Sequence, residues 1–92
     1  MESEMFETIQ SLIDQEAQIQ IPASHLTPRA NLYELGMTPY TAIRLLLAIE
    51  REFRIEFPRD SLNRKTMATM ENIVRVVRAS QFVPAYEWRD AA

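Results

Sequence analysis

Few of the 92 residues could do chemistry, and their spacing argues against most of it. His25 is the sole histidine and lies between Pro22 and Pro28 with no ligand cluster beside it, so a loop or capping role is expected rather than metal binding. The chain has no cysteine, which removes disulfides, thiolate metal sites and thiol nucleophiles. One loop histidine cannot organise a serine–histidine–acid set. Glu50, Glu52 and Glu56 read as a solvated helix edge rather than an acid/base pair. No enzyme is expected. What remains is "TPYT", residues 38 to 41, where two hydroxyls flank a proline at a helix mouth.

The elements that would hold this mouth are punctuated by one glycine and five prolines. Thr38 suits an N-cap, and Pro39 suits the first helical position, where its missing N–H costs nothing and its fixed φ already fits. In the helix that follows, Ala42, Leu45, Leu46, Ile49 and Phe53 gather on one side at 100° per residue, and Tyr40, Ile43 and Leu47 on roughly the other. A first helix is predicted from Ser3 to about Gln18, with Ser3 as its cap and an apolar stripe of Met5, Phe6, Ile9, Leu12 and Ile13. A long connection follows, with a short helical turn around Ser24 to Leu26 or Leu32 to Leu35. A weak third helix is expected near Arg59 to Arg64. Thr69 then caps a last helix in which Met70, Ile73, Val74 and Val77 repeat at i, i+3, i+4 and i+7. Pro84 ends anything helical, so residues 1–80 are expected to form one all-α bundle and 81–92 a tail. The tail aromatics Phe82, Tyr86 and Trp88 suit folding back onto the bundle or gripping a partner.

A chain this short hides only about 60–65% of its unfolded surface, which favours an economical helical bundle. With 47% hydrophobic and 25% charged residues it has the balance of a folded domain. The longest apolar run, Leu45 to Ile49, is far below the roughly 20 residues of a membrane span. The N-terminus has no signal-peptide pattern, so a cytoplasmic protein without a membrane role is expected. Residues 1–34 carry six acids against Arg29, leaving −5; residues 44–65 carry six bases against four acids, leaving +2. That patch is too weak for nucleic acid, yet it can steer a protein partner.

From about Met5 to Val77 the chain resembles the acyl carrier protein family. The resemblance is carried by "LYELGM", the helix "TAIRLLLAIEREF", the following "IEFP", and "LNRKTMATMENIV" leading into the last helix. Gly36 to Phe53 aligns without a gap. "IEFP" with "LNRKT" is similar to small stand-alone carriers, some of which serve ligases related to aminoacyl-tRNA synthetases. The resemblance implies a four-helix carrier-protein bundle with a long first loop and a short third helix. In that family a serine at the mouth of the second helix is joined by a phosphodiester to 4′-phosphopantetheine, whose thiol carries an acyl or aminoacyl group as a thioester. Here the position before that serine is Thr38 and the serine position is Pro39, which has no hydroxyl. The attachment is therefore expected to be lost and no cofactor is expected. Two alternatives stay open: an active covalent carrier that uses Thr38, or one whose serine was altered in this sequence; and a generic helical interaction domain with no link to thioester chemistry.

The family presents its second helix to enzymes through an apolar stripe framed by acids. The matching positions are Tyr40, Ile43, Leu47 and Met67, all apolar. Ile43 and Leu47 could equally line the core beneath the third helix. Arg44 stands where the family usually has an acid, Thr41 replaces another, and Arg51 extends the basic edge, while Glu50 and Glu52 are retained. Like-charge contact should weaken binding to the basic surfaces of standard loading enzymes. The expectation is a monomeric docking or regulatory module in acyl- or aminoacyl-thioester metabolism. It would bind a transferring enzyme or ligase through Thr38, Tyr40, Ile43, Arg44, Leu47, Arg51 and Met67, and the partner would present an acidic surface.

Overall fold

Helix formation at Pro39 is over-determined, and the rest of the molecule is arranged around the helix that begins there. In the computed structural model, which describes residues 2–81, Thr38 is extended (φ −99°, ψ 166°) and Pro39 opens α2, Pro39–Phe53, with Arg54 closing it in the left-handed region (φ 56°). Three further helices surround it: α1, Glu2–Glu16, α3, Arg64–Ala68, and α4, Met70–Gln81. The order is all-helical among the described residues, with single 3₁₀ turns at Ala23–His25 and Arg59–Ser61 in the connections. No helix of the described residues is long and apolar enough to cross a membrane.

The core is the meeting of the apolar stripes. Ile9 and Ile13 of α1, Leu45 and Ile49 of α2, Ile73 and Val77 of α4, and Leu32 from the first loop are all fully buried. Each such side chain contributes roughly 1.5–3 kcal/mol by leaving water. The expected core faces of α2 and α4 are thus observed: Ala42, Leu45 and Ile49 are buried with Leu46 and Phe53 packed against them, and Met70, Ile73, Val74 and Val77 are all buried.

Several boundaries differ from the sequence expectation. Helix α1 already includes Glu2, so Ser3 lies within the helix rather than at its cap. It stops at Glu16, and Gln18 has φ 57°, a left-handed conformation that cannot continue a helix. The third helix begins at Arg64 rather than ending there, because the Asn63 side chain accepts from the Thr66 N–H at 2.9 Å and caps it. The stretch Arg59–Ser61 forms only one tight turn. Helix α4 starts as expected, with the Asn72 N–H on Thr69 Oγ1 at 3.1 Å, and runs to Gln81. The tail, with Phe82, Tyr86 and Trp88, lies outside the described residues.

The long first loop is stitched down rather than loose. The Asp14 carboxylate accepts from Ala23 N–H at 2.8 Å, the Gln20 N–H donates to the Leu35 carbonyl at 2.8 Å, and Asn31 Oδ1 accepts from Tyr33 N–H at 2.9 Å. Further on, the Leu32 N–H donates to the Ala68 carbonyl (2.8 Å) and the Glu71 N–H to the Pro28 carbonyl (3.0 Å), so the loop is tied to α3 and α4. Gly36, at φ 120°, makes the turn into α2.

Candidate functional site

The mouth of α2 is a closed ring of hydrogen bonds. Thr41 N–H donates to Thr38 Oγ1 (3.1 Å) and Thr38 N–H donates to Thr41 Oγ1 (2.9 Å), which satisfies two amide donors that a helix start otherwise leaves unpaired. The Thr41 hydroxyl donates in turn to the Thr38 carbonyl (3.2 Å), and the two hydroxyl oxygens lie 3.3 Å apart. Thr41 is only 5% exposed, so it does not frame the surface as a stand-in for an acid; it is part of the cap. Sequence spacing pointed to Thr38 and not to its reciprocal partner, because such a ring is usually closed by Glu or Gln at the Thr41 position.

Beyond the cap, α2 turns an apolar stripe to solvent: Tyr40 is 67% exposed, Ile43 58% and Leu47 50%. They do not line the core. Met67 does not share this stripe; at 3% exposure it is buried, and forms part of the floor beside it. Between α2 and α3 lies an open slot of about 540 Å³, with Ile43 and Leu46 on the α2 side, Leu62 opposite, Met67 beneath, and Pro39 at its edge. Leu62 is 51% exposed. At the α3 side the Arg64 guanidinium stacks on the Tyr33 ring, 3.8 Å from its centroid, which fixes the start of the short helix against the first loop. The sequence reading missed Leu62 and Arg64 as site residues; neither lies on a periodic stripe, and the only local signal was the cap at Asn63.

The charges are not all free. Arg44 bonds Glu16 of α1 (Nε–Oε1 3.1 Å, Nη2–Oε1 3.0 Å) and donates to the Tyr40 hydroxyl at 3.4 Å. The Tyr40 bond and then the Glu16 bond and charge hold its pKa above the ordinary arginine value. The Glu50 carboxylate accepts from Phe57 N–H at 2.9 Å, so it is a loop anchor rather than part of a solvated edge. Arg51 is exposed one turn beyond Leu47. His25 is exposed in its 3₁₀ turn, and no group of three or more metal-ligating side chains occurs among the described residues.

Comparison with known proteins agrees with this geometry. The family described as phosphopantetheine attachment site matches residues 6–76. The chain is 34% identical over 71 residues to an aminoacyl carrier protein of Agrobacterium fabrum, spanning 77% of this chain and 86% of the relative. It is 30% identical over 63 residues to aminoacyl carrier protein 1 of Bradyrhizobium diazoefficiens, spanning 68% and 69%. A chain in the crystal structure of an engineered Bradyrhizobium japonicum glycine:[carrier protein] ligase complexed with carrier protein from Agrobacterium tumefaciens and AMP superposes with a TM-score of 0.77 at 34% identity, over 80% of this chain and 99% of that one. The relatives are named as carriers, not enzymes. With the family match spanning all of α2 and α3, most of α1 and more than half of α4, the chain belongs to the phosphopantetheine-attachment family of carrier proteins.

Proposed function

We propose that this carrier-family chain works by contact and not by cargo, as a docking or regulatory module in acyl- or aminoacyl-thioester metabolism. In this reading Pro39 stands at the family's attachment position. The residues present do not fit a 4′-phosphopantetheine arm. Proline has no oxygen to esterify, and the hydroxyls beside it, Thr38 and Thr41, are spent on each other and on the backbone of the first turn. Esterifying Thr38 would turn a good acceptor into a poor one and weaken the cap. The observation that carries the reading is this engaged pair of threonines around a proline.

The partner is an acyl- or aminoacyl-transferring enzyme or ligase that meets α2. The ligase complexed with the superposed carrier supports that choice, and the solvent-facing Tyr40, Ile43 and Leu47 support the face. A monomer in the cytoplasm fits such a role. The exposed stripe also weighs against a generic bundle in which those side chains would be core. Intact-mass spectrometry after incubation with coenzyme A and a phosphopantetheinyl transferase tests the proposal. An unchanged mass is expected; a gain of about 340 Da on the wild-type chain would make it a working carrier through Thr38 or another side chain.

A further inference from the structure

The exposed face of α2 carries a charge pattern as well as an apolar one. At 100° per residue, Tyr40, Ile43, Arg44, Leu47 and Arg51 fall within an arc of about 100°, and no acid shares that arc. Glu52 projects well away from it. Glu50 lies at its slot-side edge, where its carboxylate is taken by Phe57 N–H. Glu16 reaches Arg44 from α1 and offsets that one charge. Arg51 and, across the slot, Arg64 add positive charge, and among the described residues no carboxylate is bonded to either. Among the described residues no acid lines the slot.

The apolar positions 40, 43 and 47 repeat at i, i+3 and i+7, the spacing at which one helix receives another, and the adjoining open slot is wide enough to admit a bulky apolar side chain. We infer that this face binds an amphipathic helix of another protein with an acidic flank. One apolar residue of that helix enters the slot between Ile43 and Leu62, and its carboxylates meet Arg51 and Arg64. The inference deepens the proposed contact role and names its partner by chemistry. Charge complementarity selects among occupants: a second copy would bring Arg44 and Arg51 against the same cations, and like charges oppose that pairing.

The test is titration of the full ¹⁵N-labelled chain with two synthetic helix-forming peptides. Both carry leucines at i, i+3 and i+7; one has glutamates on its flanks and the other lysines. Saturable shifts confined to residues 40–51, Leu62, Arg64 and Met67 are expected with the glutamate peptide, with the lysine peptide weaker by about tenfold or more. Arg51→Glu and Leu62→Ala, both at exposed positions, should each weaken the glutamate peptide while leaving the circular dichroism spectrum unchanged. Equal binding of the two peptides, shifts on another face, or no saturable binding would overturn the inference. So would concentration-dependent shifts of the stripe in the free chain, which mark self-association, or nuclear Overhauser contacts from Phe82, Tyr86 or Trp88 to Ile43 and Leu62, which mark the chain's own tail. A pantetheine arm found by mass would sink the contact-only role without touching this result, so the two failures are distinguishable.

Discussion

Thr38 and Thr41 each accept the other's backbone N–H, at 3.1 and 2.9 Å, and so bracket Pro39 with two hydroxyls that already hold the helix start together. Thr38→Ala removes the acceptor for one first-turn amide and should destabilise the fold by about 0.5–2 kcal/mol in a urea titration. On the contact-only role proposed above, the same variant should leave the intact mass after transferase treatment unchanged.

Pro39→Ser restores an oxygen at the helix mouth while leaving the Thr38–Thr41 ring intact. It should fold with the wild-type circular dichroism spectrum and gain about 340 Da with coenzyme A and a transferase, where the wild type gains nothing. Adding Arg44→Glu should speed that loading, because it removes a cation facing the basic surface of the transferase. A Pro39→Ser, Arg44→Glu chain that folds and is never loaded would count against position 39 as the attachment position.

The two faces of α2 should answer mutation in opposite ways. Leu45→Ala empties a fully buried position and should cost about 2–5 kcal/mol. Leu47→Asp, at a half-exposed position, should stay within about 0.5 kcal/mol of wild type yet abolish partner binding. Denaturation and titration on the same two samples check both.

Gly36 sits at φ 120°, where a side chain is strained, and a Cβ there would lie 3.5 Å from the Gln18 carbonyl oxygen. Gly36→Ala should therefore cost about 1–3 kcal/mol through backbone strain rather than through a clash. Unfolding midpoints of the two chains measure it.

Arg44 should not titrate anywhere near neutral pH. Its folded-state pKa is raised by Tyr40 and Glu16 from a value already strongly alkaline. A raised pKa gives stability that is fully present below the unfolded value and is lost only as pH rises through the folded one. Stability curves of wild type and Arg44→Gln should therefore run parallel from neutral pH into the mildly alkaline range. The gap between them should narrow as salt is added, as for any exposed ion pair.

The helices that could be read from the sequence were those with a period: α1 by its stripe alone, α2 and α4 by a stripe and a cap. Helix α2 had Thr38–Pro39 and a stripe from Ala42 to Phe53, and α4 had Thr69 and four apolar residues in phase. Helix α3 is five residues long, too short for any period to show, and was misplaced by following Pro58 instead of Asn63. Exposure was harder still. Ile43 and Leu47 on one side and Met67 on the other are equally apolar, and only the tertiary position of α3 decides that the first two face water and the third does not. Glu50 looked like a surface charge because its partner, the amide of Phe57, lies seven residues on and around a loop.

The stitches between the first loop and the short third helix have a thermodynamic consequence. With Leu32 bonded to the Ala68 carbonyl, Glu71 to the Pro28 carbonyl, and Arg64 stacked on Tyr33, the far wall of the slot is anchored at three points that do not depend on anything bound inside it. A visitor meets a cavity already at its working width, so little of its binding energy is consumed in ordering the host. Association should then be fast and governed by encounter, and mutations at Pro28, whose carbonyl holds Glu71 but which does not line the slot, should alter residence time without touching any residue the visitor contacts.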